Sequence, residues 1–239
     1  MKFLIVNADD FGYAHGINEG IIEAHSRGIV TSASLMVKQP HAPEAAELAA
    51  LHPRLGIGLH IDLQESEPVD GVFTQRYRRA DLDDARQVAA EINSQLELFV
   101  SMVGRTPDHL DSHQHVHFSG HAHVESVRLA SELGVPLRAT DPNIKFCGDF
   151  YGQQDAYQPY PDGVTTANFL RLARTISDGW TELMCHPGYA RDLNSVYAIE
   201  REKELAVLCD PTLPKALTSL GVTLRSFSDF TREAIPSYD

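Results

Sequence analysis

The stretch Asp108-His-Leu-Asp-Ser-His-Gln-His-Val-His117 carries the densest chemistry in the chain, because half of its twelve histidines fall between His109 and His123. Crowded imidazoles repel when protonated and gain from proximity mainly when a cation sits between them, so a divalent metal is the simplest use of the tract. In extended chain, alternate side chains share a face and would point His113, His115 and His117 together; a turn after His113 would pair it with His117 instead. An exposed polar loop that happens to be rich in His is the plain alternative. A second stretch is Asp9-Asp10-Phe11-Gly12. Adjacent carboxylates at the end of an apolar run repel unless a cation or a proton intervenes, although Asp-Asp before Gly is also ordinary turn chemistry. His60 lies near the end of Leu55-Gly-Ile-Gly-Leu-His-Ile-Asp-Leu63, with Asp62 two residues on and so on the same strand face. A lone His on an apolar strand is otherwise a satisfied core residue. His186 follows the apolar run 181–185 directly.

Each of these residues falls where a predicted strand gives way to a loop. The apolar run 2–8 reads as a strand buried on both faces. Further strands are expected over 29–37, 55–63, 107–111, 134–139, 181–185 and 222–227. Between them the helical spacing of apolar residues predicts a helix around Ile17, Ile21 and Ile22 that Gly28 ends, and helices over 43–51, 81–103, 122–133, 168–176, 200–208 and 214–220. Alternating strands and helices imply an α/β fold with parallel strands, whose carboxyl ends share one rim. Residues 64–80 read as a long loop, of the kind that often covers a site. Residues 141–162 read as an irregular segment rich in aromatics, among them Phe146, Phe150, Tyr151, Tyr157 and Tyr160. Aromatic faces suit sugars, but tyrosines also pin down irregular chain. Arg138, at the end of its predicted strand, either clamps a substrate oxygen or forms a structural ion pair.

Composition narrows the class. Acids outnumber bases 33 to 20 and the formal charge is -13, which argues against a nucleic-acid partner. No apolar run approaches the ~20 residues of a membrane span. Cys147, Cys185 and Cys209 are widely spaced without a C-x-x-C pair, so neither a disulfide framework nor a thiolate zinc site is expected, and a reducing cytoplasm fits. There is no internal repeat or linker, and residues 1–239 read as one domain.

The segments Asn7-Ala-Asp-Asp-Phe-Gly12, Gly58-Leu-His60, His109-Leu-Asp-Ser-His-Gln-His-Val-His117 and Met184-Cys-His-Pro-Gly188, in that order, resemble the signatures of the YdjC-like carbohydrate deacetylases. The resemblance implies a single-domain distorted (β/α) barrel and metal-dependent removal of acetyl groups from N-acetylated sugars. By that similarity Asp10, His60 and His113 would be metal ligands, Asp9 the base and His186 the acid. Arg138, His117 and Tyr151 are taken as substrate contacts, though the roles of His115 and His117 do not follow from the motif. The family implies Mg²⁺, whereas imidazole-rich ligation prefers Zn²⁺ or another transition metal. The partner expected is a small carbohydrate, with a homodimer as a guess at oligomeric state. Two other classes use similar residues: a metal-dependent phosphoesterase on a similar barrel, and a non-catalytic sugar- or metal-binding module.

Overall fold

The computed structural model describes residues 1–69, 72–154, 157–191, 193 and 195–234. Its centre is β1 (Lys2–Phe11), in which Leu4, Ile5, Val6 and Ala8 are completely buried. Such continuous burial follows from having neighbours on both edges and helices on the outside. The parallel sheet runs in the order β6-β3-β2-β1-β10-β7, formed by Leu110–Ser112, Gly56–Ile61, Ser32–Leu35, β1, Gly179–Cys185 and Ile144–Cys147. A further short strand, β11 (Val222–Leu224), pairs with the start of β1. The sheet curls into an open, distorted α/β barrel, as expected.

Helices α1 (His15–Ser26), α2 (Ala42–Leu51) and α3 (Ala85–Val103) follow the strands they cover. The third shows why its sequence is helical. Asp84 caps its first turn by accepting from the Arg86 and Gln87 amides, Val88, Ile92 and Phe99 bury one stripe, and Gly104 ends it at φ 78°. The buried Gln95 on that stripe accepts from the Asp62 amide and donates to the Asp62 carbonyl, continuing the ladder beyond the end of β3. Helices α4 (Gly120–Leu133), α5 (Thr166–Thr175), α6 (Ala198–Leu208) and α7 (Leu213–Ser219) complete the outer layer, while α8 (Phe227–Ala234) sets Phe227 against Ile5 and Ile144 in a second, smaller cluster.

Four expectations differ from the structure. Where the sequence predicts a loop over 64–80, β4 (Gln64–Val69) and β5 (Val72–Arg78) pair as antiparallel strands, hidden in the sequence by their polar alternation; residues 70 and 71 lie outside the described residues. The strand expected over 134–139 makes a single bridge, Leu110 to Leu137, because Pro136 cannot donate to a ladder. The aromatic segment supplies an edge strand of the main sheet, β7, and a two-residue pair, β8 (Gln153–Gln154) with β9 (Gln158–Pro159). Finally, β11 stops at Leu224 and Phe227 opens a helix. No helix among the described residues is long and apolar enough to cross a membrane.

One close approach anchors the chain after β10. A Cβ on Gly20 of α1 would lie 2.5 Å from the Gly188 Cα, two residues beyond His186, where backbone meets backbone and nothing can rotate away. Gly20→Ala is therefore expected to lower stability by about 1–3 kcal/mol in urea titration despite the better helix propensity of alanine. An unchanged or raised midpoint would show that the two segments can part.

Candidate active site

Because the strands are parallel, the carboxyl ends of β1, β3, β6 and β10 open on one rim. A cavity of about 420 Å³ lies there, lined by Asp9, Asp10, His60, His113, His115, Tyr151, His186, Tyr197 and Arg201 among others. Neighbouring residues on a regular strand face opposite ways, yet both Asp9 and Asp10 line it. The pairing of β1 with β2 shifts register between Ala8 and Phe11, and Asp10 takes the left-handed conformation at φ 68°. Such a bulge re-aims side chains, and a non-glycine residue held there is strained by about 1–3 kcal/mol.

Asp10 Oδ1 lies 3.0 Å from His113 Nδ1 and 3.4 Å from His60 Nε2. One ligand atom from each of Asp10, His60 and His113 falls within 4.8 Å of the others, as a shared cation requires. The other Asp10 oxygen accepts from Arg201, which leaves one oxygen free to ligate. Burial works against charge on His60, but Asp111, Asp10 and Asp9 outweigh it and push the imidazole up to about 10. The field at that point calls for positive charge, whether a proton or a metal ion. His113 Nε2 and His186 Nδ1 are buried without hydrogen-bond partners. The carboxylate of Asp10 with the imidazoles of His60 and His113, gathered in a negative field, fits a divalent cation.

A hydrogen-bonded chain beneath the rim holds His60. Its Nδ1 is 2.8 Å from Asp111 Oδ1; Ser34 Oγ donates to Asp111 Oδ2 at 2.7 Å and lies 3.0 Å from His109 Nε2; His109 Nδ1 is 2.6 Å from Asp108. Gly58 makes room, because a Cβ there would meet the His109 ring at 2.4 Å. A fixed partner on the far nitrogen sets which nitrogen of His60 faces the cavity.

Asp9 sits beside this group, its carboxylate gripped at both oxygens by Arg138 at 2.6 Å and at one by Asn7 at 2.9 Å. Burial raises its pKa, but Arg138 overcomes that and holds it below the ordinary carboxylate value. Nε2 of His186 is 3.8 Å from Asp9 Oδ2, and Nδ1 is 3.9 Å from Glu204 Oε1. Glu204 is completely buried, accepts from the His186 amide and from the Tyr197 hydroxyl, and is pushed up to about 8 by burial. Burial also lowers His186 to about 4. Burial thus favours the neutral form of each, a carboxylic acid beside a neutral imidazole.

The geometry brings Asp9, Asp10, His60, His113, Tyr151 and His186 together and leaves two expected substrate contacts outside. Arg138 is buried beneath the cavity floor, its guanidinium taken by Asp9, Asp111 and Glu182. His117 is sealed between Ser112 Oγ and the Arg138 carbonyl. His115 lines the cavity in its place, because Gln114 and His115 both turn left-handed and break the extended alternation. Asp62 binds Gln39, Tyr77 and Arg79 and stays apart from His60's partners.

A curled parallel α/β sheet whose strand ends gather carboxylates and imidazoles around an open cavity is the class that this fold and site define. Within it, residues 3–219 match the YdjC-like protein family, and the chain belongs to that family. It is 39% identical to a Geobacillus stearothermophilus protein named carbohydrate deacetylase, over 96% of this chain and 98% of that one. A Serratia marcescens protein named chitooligosaccharide deacetylase is 35% identical over 95% and 99% of the two chains. A crystal structure from Enterococcus faecalis V583, of a protein described in terms of cellobiose-phosphate cleavage, superposes with a TM-score of 0.76 at 26% identity, covering 96% of this chain and 98% of that one.

Proposed function

We propose that this chain, as one domain, is a carbohydrate deacetylase that removes acetyl groups from N-acetylated sugars around a divalent cation held by Asp10, His60 and His113. The observation that carries the reading is the meeting of those three groups, from three strand ends, in a cavity that also presents Asp9 and His186. The names of the relatives support the substrate class. Two imidazoles with one carboxylate suit Zn²⁺ or a similar late transition metal better than Mg²⁺, which favours an all-oxygen octahedron. The three cysteines are free, in keeping with a cytoplasmic setting.

When bound, the cation polarises the acetyl carbonyl and makes water more acidic. Asp9, kept ionised and aimed by Arg138, takes the proton that the attacking water loses. The departing amine needs a proton as its C–N bond breaks, and a neutral imidazole cannot give one up without receiving another. His186 hands the amine its Nε2 proton while Nδ1, once the 3.9 Å gap to Glu204 closes, takes the Glu204 proton; the amine leaves, the acetic acid formed ionises to acetate, and Asp9 gives up its proton as Glu204 regains one from solvent. The outer face of Tyr151, backed by Tyr197 stacked against it at 4.5 Å, offers an apolar wall for a sugar ring.

A phosphoesterase would need a counter-charge for a phosphate dianion. Among the described lining residues Arg201 is the one arginine or lysine, and Asp10 already holds it, while Glu65 and Glu67 add negative charge. The test is to strip the protein of metal, reload it with Zn²⁺ or Mg²⁺, and measure acetate and phosphate release over N-acetylglucosamine, its β-linked oligomers and their phosphates. Acetate release that depends on the metal is expected. Phosphate release without acetate would overturn the reading.

The Glu204 proton gives the pH dependence its sign. Its pKa is raised, so the proton is present below and lost as pH rises through that value, and kcat/KM should fall on the alkaline side at or somewhat below pH 8, because a bound cation favours its loss. Glu204→Gln should abolish that limb and cost about 10²–10⁴-fold in kcat. A variant with the same alkaline limb would assign it to another group.

A further inference from the structure

We propose that His15, His41 and Glu44 form a second metal site, on the surface, selective for a late transition-metal dication such as Zn²⁺. His15 opens α1 and His41 is the residue before α2, so the ligands come from two elements. His15 Nδ1 lies 2.6 Å from Glu44 Oε1 and His41 Nδ1 3.4 Å from Glu44 Oε2, and one ligand atom from each falls within 4.8 Å of the others. Ligands about 2.0–2.2 Å from zinc in tetrahedral array lie roughly 3.3 Å apart, so admitting an ion needs only a small opening of the His15 contact. The outer groups of such a site are already present. Glu19 Oε2 stands 3.6 Å from His15 Nε2, the nitrogen left for a partner when Nδ1 ligates, and Arg191 holds Glu19. Asn18, completely buried, donates to Glu44 Oε2 and to the His41 carbonyl and fixes that carboxylate.

Charge decides whether a cation is tolerated there. Two helix N-termini contribute roughly half a positive charge each and Arg191 a full one, against the full negative charges of Glu44 and Glu19, so the surroundings are about neutral and the donor lone pairs of the two imidazoles and of Glu44 must hold the ion. Half-exposed side chains leave the outer coordination positions to water, which makes this an open and weaker site than the buried one. Two nitrogen donors exclude Mg²⁺ as its preferred occupant. Asn18 also accepts from the Gly12 amide, and the Gly12 carbonyl accepts from the His41 amide. An ion at this place would therefore staple α1 to α2 behind the turn that carries Asp9 and Asp10.

The experiment titrates the metal-free full chain with Zn²⁺ by calorimetry, with metal analysis after gel filtration, and repeats it for His15→Ala and His41→Ala. Two ions per wild-type chain are expected, the weaker one lost or weakened at least 10-fold in either variant. Acetate release with the buried site loaded should be unchanged in both, and Mg²⁺ should show no second binding event. A single ion in the wild type, or two equally tight ions in both variants, would overturn the proposal. Since neither histidine lines the cavity, failure here leaves the deacetylase reading untouched.

Discussion

Asparagine in place of Asp9 is expected to lower acetate release by about 10²–10⁴-fold while the protein keeps its metal ion. In the proposed mechanism the two adjacent aspartates take different roles because of what each touches. Asp10 meets His60 and His113 with one oxygen, whereas both oxygens of Asp9 face Arg138, and a carboxylate so occupied is aimed rather than free to ligate. Asparagine preserves the shape and the bond to one guanidinium nitrogen but removes the basic oxygen. The loss should therefore appear in kcat, with metal stoichiometry and KM near wild type. His60→Ala is the contrasting case, since it deletes a ligand and should strip the metal along with activity. If Asp9→Asn turned over normally with metal in place, the base would have to be sought elsewhere in the cavity. If it lost the metal instead, the division between the two aspartates would be reversed.

What made the site legible in the sequence was the coincidence of Asp9-Asp10, His60, His113 and His186 with predicted strand ends. Parallel topology converts that one-dimensional coincidence into a shared rim, which is why residues 177 positions apart meet. The residues that support them left weaker marks. Asp111 lies inside the histidine tract but looked like part of a short strand, and only the pairing of β3 with β6 puts it opposite His60. Glu204 and Arg201 did leave a signal. They occupy the buried stripe of α6 alongside Leu205 and Leu208, where apolar residues are expected, and a charge on a helix's inward face needs a partner. Arg138 and His117 went the other way, because residue type marked them as polar while nothing in the sequence said that buried carboxylates would take the first and Ser112 and a backbone carbonyl the second. The left-handed turn at Gln114 and His115 was likewise illegible. Neither residue is glycine, so its conformation is imposed by the fold around it.

Arg138→Met is expected to destabilise the protein by about 3–5 kcal/mol at pH 8, because it leaves buried carboxylates without their counter-ion. The guanidinium bonds Glu182 at 2.7 Å, Asp111 at 2.7 Å and Asp9 at 2.6 Å, and all three are essentially excluded from solvent. Burial by itself raises Asp9 and Asp111, yet with Arg138 present both sit below the ordinary range, while Glu182 stays raised because burial outweighs the same cation. The pH dependence follows from those directions. For wild type, depressed carboxylates contribute stability that is fully present above their unfolded values, near 4, and is lost as pH falls through the lower folded values. In the variant, burial acts unopposed and the folded-state values move up. The damage is then largest at alkaline pH, and it shrinks as the pH falls toward 5 and the orphaned carboxylates take up protons. Urea titrations of both proteins at pH 8 and pH 5 separate this from a packing defect, which would cost the same at each pH. A constant difference would mean that Arg138 supports the floor of the barrel by its volume, and that Asp9 has some other means of staying ionised.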